Sequence, residues 1–475
     1  MMSQNDNGTG RIRKFTDEQV KRLHQASLEI LKRTGVLLYS QEALDLAQKA
    51  GIPVTDGNRI RIPPDKVEWA LSVAPKRVDL YDRHGKLAMQ LAGYNTYYGT
   101  GSDCPNVIDH RTGERRPGLL RDIEDATRVC DALPNIDFLM SFCIPNDVEP
   151  NVYDRYQMRA MLMNSIKPIL FVTLEFSGTR DAVAMAEAVA GGAEEFKRRP
   201  LAALYINVTA PLRHNEEALQ KLLFMAERGL PTTYTPVVLR GASGPVTLAG
   251  AIALANAGEL AGLVLAELKR EGAPVILTGG VNDMFDMRFM LDTYAAPENR
   301  TALLEVAHYY DMPIFGLTGC SDSKIPDEQA AAEAAFSLLL ETQGGAQMAH
   351  DVGYLEGGLS DSIEQVVICD EFINYIKHFM TPIEVNDETL ALDVIDEIGP
   401  RGDYLGSQHT LAHYKQDWYP KLLDRGSRDR WVAGGSKTLR QRARERVEVI
   451  LATHQPEPLP SDVQHRLDEL VAAAT

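Results

Sequence analysis

Acidic, aromatic and imidazole side chains follow two short apolar runs between residues 312 and 359. The run MPIFGLTG leads into the loop CSDSK (320–324), and the run AQMAHDV leads into the loop GYLE (353–356). Such a mixture suits a small organic cation, because a quaternary ammonium group donates no strong hydrogen bond and is held over ring faces and near carboxylates. Each desolvated contact of this kind contributes ~2 kcal/mol or more.

The stretch 312–359 reads as strand, loop, helix, strand and loop. Pro326 opens an Ala-rich helix, and Asp327 and Glu328 lie in its first turn, where the helix dipole favours anions. The pattern therefore predicts a βαβ unit with polar residues in both loops that follow strands. In a parallel α/β barrel those loops share one face, and that face carries the active site.

The same rhythm of short apolar runs and helical stretches extends back to about residue 93. The predicted strands are 94–102, 136–144, 167–174, 201–209, 231–239, 273–279, 312–319 and 346–352. The predicted helices lie near 121–133, 153–165, 179–191, 215–228, 246–270, 298–310, 326–342 and 360–379. Eight strands and eight helices in ~290 residues fit an α/β fold of the (β/α)8 TIM-barrel type.

Two alternatives remain at this point. The run 287–296 could be the sixth strand in place of 273–279. A doubly wound open sheet is the other arrangement of alternating strands and helices, although no GxGxxG follows the first strand.

Three regions follow from the change of rhythm along the chain. Residues 1–92 are expected to form an N-terminal α+β packing or docking segment, with a hairpin that turns at His84 and Gly85. Residues 93–380 are expected to form the barrel, which would carry the active site. Residues 381–475 lose the strand rhythm and are expected to form a C-terminal helical extension.

Composition limits the classes of function. The 475 residues carry a net charge of −17, which disfavours nonspecific binding to nucleic acid. No run of ~18 uncharged apolar residues predicts a membrane span, and the N-terminus lacks an apolar leader. The five cysteines show no CxxC and no zinc spacing, so we expect reduced thiols in a cytoplasmic protein.

Several known catalytic motifs do not apply. Ser321 and Lys324 match SxxK without its partner motifs. His409 and His413 have the i, i+4 spacing of a zinc site but lack the glutamate of HExxH and a third ligand, so no metal is expected. No phosphate-binding loop and no GxSxG elbow appears. The chain offers acids, tyrosines and histidines but no obvious nucleophile.

Polar residues at strand ends are the candidates for the pocket. They are Tyr97, Tyr98, Ser102 and Asp103 after the first strand, Thr173 and Glu175 after the third, Asn207 and Thr209 after the fourth, Tyr234 and Thr235 after the fifth, Ser321, Asp322 and Lys324 after the seventh, and His350, Asp351, Tyr354 and Glu356 after the eighth. The pattern alone allows an aromatic cage around a small cation, formed by the rings of Tyr97, Tyr98, Tyr234, Phe315 and Tyr354.

Longer stretches give a resemblance to a family. HQASLEILKRTGV, IPPDKVEWALSVAPKRVDLYDR, GTGSD, TGCSDSKIPDEQAAAE, HDVGYLEGGLSDSIEQVVICDE and HYKQDWYPKLLDR resemble the trimethylamine methyltransferase (MttB) family over nearly the whole chain. The resemblance implies a catalytic barrel that moves a methyl group from an amine to the cobalt of a corrinoid (cobalamin) carried by a separate small protein. It implies one-carbon metabolism and no metal held by this chain.

One departure from the family matters for the substrate. The founding members use pyrrolysine for a tertiary amine, whereas this sequence contains only the twenty standard residues. Homologues without pyrrolysine resemble methyltransferases for quaternary amines such as glycine betaine, proline betaine or carnitine. A quaternary nitrogen already carries its full charge and leaves as a neutral tertiary amine, so positioning is the main catalytic task. We also expect a homo-oligomer.

The predicted roles combine the residues and the resemblance. We expect Tyr97, Tyr98, Phe315 and Tyr354 to surround the trimethylammonium group. The expected compensating charges are Asp103, Asp322 and Glu356, and His350 with Lys324 or His409 is expected to bind the substrate carboxylate. The competing functions are a methyltransferase of the same fold with another onium donor or a tetrahydrofolate acceptor, and a non-catalytic betaine-binding protein.

Overall fold

Short strands and capped helices make up the first ninety residues of the protein. The computed structural model describes residues 10–278, 281–291, 293–294 and 298–474. Helix α1 begins after Thr16, whose side chain accepts a hydrogen bond from the Gln19 backbone N–H. The elements of this region are α1 (Asp17–Glu29), α2 (Gln41–Lys49), α3 (Pro64–Val73), β1 (Val36–Leu38), β2 (Val54–Thr55), β3 (Arg59–Ile60), β4 (Val78–Tyr81) and β5 (Leu87–Leu91).

Strands then alternate with helices as far as Phe379, and helices alone follow. The strands are β6 (Tyr97–Thr100), β7 (Asn106–Ile108), β8 (Arg115–Pro117), β9 (Ile169–Phe171), β10 (Ala202–Val208), β11 (Arg213–His214), β12 (Thr232–Pro236), β13 (Val238–Arg240), β14 (Val275–Thr278), β15 (Val281–Met284), β16 (Ile314–Leu317), β17 (Met348–Val352), β18 (Tyr354–Leu355) and β19 (Ser360–Asp361). The helices are α4 (Leu120–Ala132), α5 (Tyr153–Asn164), α6 (Phe176–Ala190), α7 (Ala193–Arg198), α8 (Glu216–Arg228), α9 (Leu248–Lys269), α10 (Glu298–Tyr309), α11 (Glu328–Gly344), α12 (Ile363–Phe379), α13 (Asp387–Leu390), α14 (Leu392–Ile398), α15 (Gln408–His413), α16 (Arg428–Ala433), α17 (Leu439–Thr453) and α18 (Ser461–Ala474).

Seven parallel strands form one sheet in the order β6-β17-β16-β14-β12-β10-β9. Two further parallel bridges, Gly99 to Phe138 and Leu139 to Ile169, join its two edges through the segment 138–139. This segment takes the eighth strand position and closes the barrel. The predicted (β/α)8 fold is confirmed. The sixth strand is Val275–Thr278, whereas residues 287–290 form an exposed turn. Residues 292, 295 and 296 of that alternative lie outside the described residues.

The hairpin β4–β5 closes the N-terminal end of the barrel. Leu80 and Met89 belong to one buried cluster with Leu170, Ile276 and Met348. These barrel residues stand at the first or second position of their strands, so the hairpin fills the bottom of the lumen. The opening of the barrel is therefore at the C-terminal ends of the strands, where a barrel places its active site.

Helix α9 is the most apolar helix of the fold. It is long and apolar enough to cross a membrane by composition, with a mean hydropathy of 1.7, but 78% of that window is buried inside the protein. Gly262 lets it approach β12, since a Cβ there would lie 2.2 Å from the Tyr234 ring. It is a core helix of the barrel wall.

A buried carboxyl on α9 makes stability depend on pH. Burial raises the pKa of Glu259 to about 8, against 4.5 ordinarily, although the Thr278 hydroxyl donates to it at 2.6 Å. Between these two values the folded protein holds more protons than the unfolded chain, so the free energy of unfolding falls as pH rises from about 4.5 to about 8. We expect Glu259→Gln to flatten this slope and to stabilise the protein above pH 8 by a few kcal/mol. Urea unfolding at pH 5.5 and pH 8.5 measures how the free energy of unfolding changes with pH in each protein. The same change in the wild type and in Glu259→Gln would contradict the prediction.

The C-terminal helices are fixed to the barrel by two buried carboxylates of α12. Glu364 is fully buried and pairs with Arg440 at 3.0 Å and with Arg444 at 2.8 Å. One oxygen of Glu371 accepts hydrogen bonds from three successive backbone N–H groups, those of residues 421, 422 and 423. Helix α17 and residues 421–423 are thereby held against α12.

Candidate active site

Three aromatic rings meet inside the barrel, where Phe315 belongs to the same buried cluster as the hairpin residues and Tyr205 packs against that cluster. In β10, Ala203, Tyr205 and Asn207 alternate with the outward residues, so they share the inner face. The Phe315 ring of β16 lies 4.1 Å from the His350 ring of β17, measured between centroids, and 5.5 Å from the Tyr205 ring. Tyr205 also lies 6.1 Å from His350. The three rings form a wall suited to a small cation.

A carboxylate stands directly beside this wall. His350 Nδ1 lies 2.7 Å from the Gly316 carbonyl oxygen, which can only accept, so this nitrogen carries a proton. His350 Nε2 lies 3.2 Å from the Asp351 carboxylate. Asp351 is 1% exposed and has φ of +75°, a left-handed conformation that turns its side chain back toward the histidine.

Tyr294 connects the loop after β14 to the two following strands. Its hydroxyl donates to the Asp351 carboxylate at 2.7 Å, and its backbone N–H donates to Asp322 at 3.0 Å. Its ring centroid lies 6.2 Å from that of Tyr354. These contacts gather a residue from each of three loops at one edge of the mouth.

Tyr354 lies beside Tyr294 at the mouth. The Ser102 backbone N–H donates to the Tyr354 hydroxyl at 2.6 Å, and that hydroxyl donates to the Ser102 carbonyl oxygen. Gly101 faces the ring so closely that a Cβ there would lie 2.0 Å from Cε1 of Tyr354. The ring is 6% exposed and is fixed in a slot that only glycine permits.

A second carboxylate, that of Asp103, comes directly after Ser102 in the chain. Asp103 has φ of +59° and accepts hydrogen bonds from the Ser141 hydroxyl at 3.0 Å and from the Gln157 amide at 2.8 Å. Burial raises its pKa in spite of these donors. Burial also raises the pKa of Tyr205, and the charges of Asp351 and Asp103 add to that effect. Both carboxylates therefore act on the space around Tyr205.

The mouth opens to solvent on the side of β9 and β10. Asn207 and Thr209 are exposed, as is Glu175 at the end of the third strand. Tyr205, one step deeper than Asn207, is half-buried. Tyr205 is therefore the residue of the wall that solvent reaches from this side, whereas Phe315 and His350 are buried.

Three of the predicted tyrosines lie away from this wall. Tyr97 is at the bottom of the lumen, where its hydroxyl accepts from the Gln90 backbone N–H at 3.1 Å. Tyr98 is fully buried and points outward, with its hydroxyl 2.6 Å from that of Thr342 in α11. Tyr234 also points outward, with its hydroxyl 2.6 Å from His214 Nδ1. We therefore correct the cage by removing Tyr97, Tyr98 and Tyr234.

Two predicted charges are already engaged. Glu356 pairs with Arg115 of β8 at 2.6 Å and accepts from the Ser360 hydroxyl. Asp322 accepts from the Tyr294 backbone N–H and holds the loop next to Asp351. We remove Glu356 as a charge for the substrate, because Arg115 balances it, and keep Asp322 as a residue of the mouth.

The expected carboxylate-binding groups are not gathered at the wall. Lys324 is exposed and donates to the Asp322 carbonyl oxygen at 2.8 Å. His409 lies in α15, in a cavity lined by residues of α13, α14 and α15 alone. Its ring centroid is 4.4 Å from that of His413. Of the three predicted groups, only His350 lies at the wall, and we remove Lys324 and His409.

Sequence reasoning did not commit to three residues that the geometry favours. Tyr205 could have been found from the alternation of β10, since it shares a face with Asn207. Asp351 was recognised at a strand end, but its backward turn depends on a backbone angle that no pattern shows. Tyr294 lies in a stretch that also resembled a strand.

Comparison with known proteins gives a family match over nearly the whole chain. The family model described as trimethylamine methyltransferase (MTTB) matches residues 2–475. The chain is 32% identical over 461 residues to the trimethylamine methyltransferase MttB of Desulfitobacterium hafniense (strain DSM 10664 / DCB-2), covering 96% of this chain and 93% of that protein. It is 29% identical over 464 residues to the glycine betaine methyltransferase of Desulfitobacterium hafniense (strain Y51), covering 96% of both.

A solved structure agrees in fold. The crystal structure of the monomethylamine methyltransferase of Methanosarcina barkeri superposes with a TM-score of 0.52 at 10% identity, covering 99% of this chain and 91% of that one. This likeness concerns the barrel architecture and not the substrate.

Proposed function

Because the chain belongs to the trimethylamine methyltransferase (MTTB) family and is a methyltransferase, we propose that it transfers a methyl group from a small quaternary amine to the cobalt of a corrinoid carried by a separate protein. The observation that carries the proposal is the aromatic wall with a carboxylate beside it. Tyr205, Phe315 and His350 supply the ring faces, and Asp351 supplies the charge. Glycine betaine or a similar betaine fits this chemistry.

The residues of the wall have distinct tasks. The faces of Tyr205 and Phe315 hold the methyl groups through cation–π attraction. Asp351 opposes the ammonium charge, and Tyr294 and His350 fix its two oxygens. Tyr354 covers the mouth and excludes water from the cation. Held in this way, one methyl group points toward the open side of the mouth, and such positioning is the main source of rate enhancement.

The leaving group needs no acid. When a methyl group departs from a quaternary nitrogen, the bond electrons stay on nitrogen and a neutral tertiary amine remains. The pocket therefore loses its positive charge as the reaction proceeds, which weakens the hold of Asp351 and the rings on the product. The tertiary amine takes a proton only after it reaches water.

The acceptor side is the open edge of the mouth. A reduced corrinoid would supply the cobalt nucleophile that takes the methyl group. The carrier protein would lie against this edge and face the exposed residues Asn207, Thr209 and Glu175. The five buried, unbridged cysteines support a reducing compartment, the cytoplasm.

Binding of an isostere that lacks the ammonium charge tests the recognition step. Glycine betaine and 3,3-dimethylbutyrate have the same shape, but carbon replaces the charged nitrogen in the second. We expect calorimetry to show betaine binding at least 30-fold tighter, equivalent to ~2 kcal/mol. Equal affinity would refute cation recognition, and binding of betaine without any demethylated product would favour a non-catalytic binder.

Tyr205 provides a matched test of the wall. We expect Tyr205→Leu to weaken betaine binding by about 30-fold, because the ring contributes ~2 kcal/mol, and Tyr205→Phe to retain most of the affinity. Tyr98→Phe is the control, since Tyr98 faces α11 on the outside of the barrel. Calorimetry measures the betaine affinity of all three variants. If Tyr98→Phe lost as much affinity as Tyr205→Leu, the effect would not be specific to the barrel lumen, and Tyr205 would no longer be assigned to the site.

A further inference from the structure

An acidic segment, residues 383–405, exposes an unusual amount of apolar surface. Ile383 is 90% exposed and Leu405 is 88% exposed. The other exposed apolar residues of this segment are Val385, Leu390, Leu392, Ile395 and Tyr404. Soluble monomers rarely expose contiguous apolar surface of this kind, and where it occurs it marks an interaction site.

The acidic segment has no core of its own. Helices α13 and α14 contain no buried residue, and neither do α15 and α16. They are seven residues long or shorter, and helices of this length are not stable in water without tertiary packing. The packing that the segment needs must therefore come from another surface.

The charges of the acidic segment define what that surface must carry. The segment contains one base, Arg401, and seven acids: Glu384, Asp387, Glu388, Asp393, Asp396, Glu397 and Asp403. A partner must bring positive charge together with apolar side chains, because a second acidic surface would be repelled.

Such a surface exists on this chain itself. The basic segment, residues 421–446, contains three acids, Asp424, Asp429 and Glu445, and nine bases: Lys421, Arg425, Arg428, Arg430, Lys437, Arg440, Arg442, Arg444 and Arg446. Val432, within it, is 51% exposed, and Tyr419, just before it, is 76% exposed.

The two segments do not neutralise each other within one chain. Residues 383–446 are all described, and no ion pair found there joins an acid of the first segment to a base of the second. Glu388 pairs with His413, and Lys437 pairs with Glu445. Lys421, Arg428, Arg430 and Arg446 are exposed and form no ion pair within the described part of the chain.

We propose that the acidic segment of one copy packs on the basic segment of a second copy, and the reverse, in a two-fold symmetric dimer. A two-fold axis places the acidic segment of each copy against the basic segment of the other copy. The two contacts are equivalent, and no acidic or basic segment remains without a partner. The apolar side chains between the charges then become buried, and the opposite charges fix the register. No other macromolecule is needed to satisfy either surface, although the whole chain carries a net charge of −17.

Sedimentation equilibrium of the full chain tests the proposal. We expect the wild type to sediment at twice the chain mass and Leu392→Asp/Leu405→Asp to raise the dimer dissociation constant at least 100-fold, because carboxylates would replace apolar groups in the interface. Phe336→Asp is the matched control, since Phe336 is 56% exposed on α11 outside both segments. Circular dichroism verifies that each variant is folded.

A charge exchange distinguishes this interface from others. Asp393→Lys/Asp396→Lys and Arg428→Glu/Arg430→Glu should each weaken the dimer. An equimolar mixture of the two proteins should recover association, because the mixed dimer has one wild-type contact and one contact with exchanged charges. A monomeric wild type would overturn the proposal. So would a dimer that is insensitive to Leu392→Asp/Leu405→Asp. If those substitutions abolished binding of a corrinoid protein and left the dimer intact, the surface would belong to that protein instead.

Discussion

Asp351→Asn is expected to lower kcat/KM for methyl transfer by about 10²–10³-fold. The substitution keeps the size of a side chain that is 1% exposed but removes the charge that we propose faces the substrate cation. Truncating one partner of a buried, hydrogen-bonded charge pair costs about 2–5 kcal/mol, which corresponds to this loss. The amide also presents an NH₂ group in place of one of the two carboxylate oxygens that face the Tyr294 hydroxyl and the His350 imidazole. Initial rates at low donor concentration measure the effect.

The control for Asp351 is a carboxylate outside the barrel mouth. Asp468 of α18 pairs with Arg159 at 2.6 Å and is about half exposed. Asp468→Asn should leave kcat/KM within twofold, because exposed ion pairs contribute little. A loss below threefold for Asp351→Asn, with the fold intact, would show that the cation is held without this charge.

Gly101→Ala is expected to lower kcat/KM by about 10²-fold with a smaller effect on folding. The added Cβ would lie 2.0 Å from the Tyr354 ring and 2.6 Å from its hydroxyl, so the ring must leave its slot and its contact with Ser102. A displacement of about 1 Å at a positioning residue can cost 10²-fold in rate. Overpacking of this kind costs about 1–3 kcal/mol of stability. Transfer rates and urea unfolding separate the two effects.

A second substitution tells whether Tyr354 transmits the loss. In Gly101→Ala/Tyr354→Leu the clash is reduced, so stability should recover relative to Gly101→Ala while activity should not. Gly406→Ala is the matched glycine control, since nothing lies within 4 Å of a Cβ at that position. Full activity in Gly101→Ala, or recovered activity in the double variant, would show that the Tyr354 ring does not serve the reaction.

The barrel could be predicted from sequence because its strands are buried on both faces. Runs such as APVILTG and MPIFGLTG stay apolar at every position, which is typical of parallel strands covered by helices. The segment 138–139 contributes only isolated bridges, and Phe142, three residues later, has φ of +65°. The predicted strand 136–144 is therefore real in position but much shorter in pairing.

The site was harder to predict because strand-end position does not state which face a side chain occupies. Tyr98 and Tyr205 are both strand tyrosines, yet one contacts α11 and the other lies in the lumen. Glu356 resembled a free charge until its pairing with Arg115, 241 positions away, was visible. Long-range partners and left-handed residues such as Asp351 leave no local signal.

The proposal that this protein moves a methyl group from a quaternary amine to a corrinoid is tested most directly with labelled donors. Glycine betaine and proline betaine carrying ¹³C-methyl groups would be incubated with the enzyme and a reduced corrinoid protein, and products followed by NMR and by corrinoid absorbance. We predict the tertiary amine and methylated corrinoid in equal amounts, only when all three components are present. Absence of tertiary amine with every quaternary donor would contradict the proposal, as would transfer to tetrahydrofolate without any corrinoid.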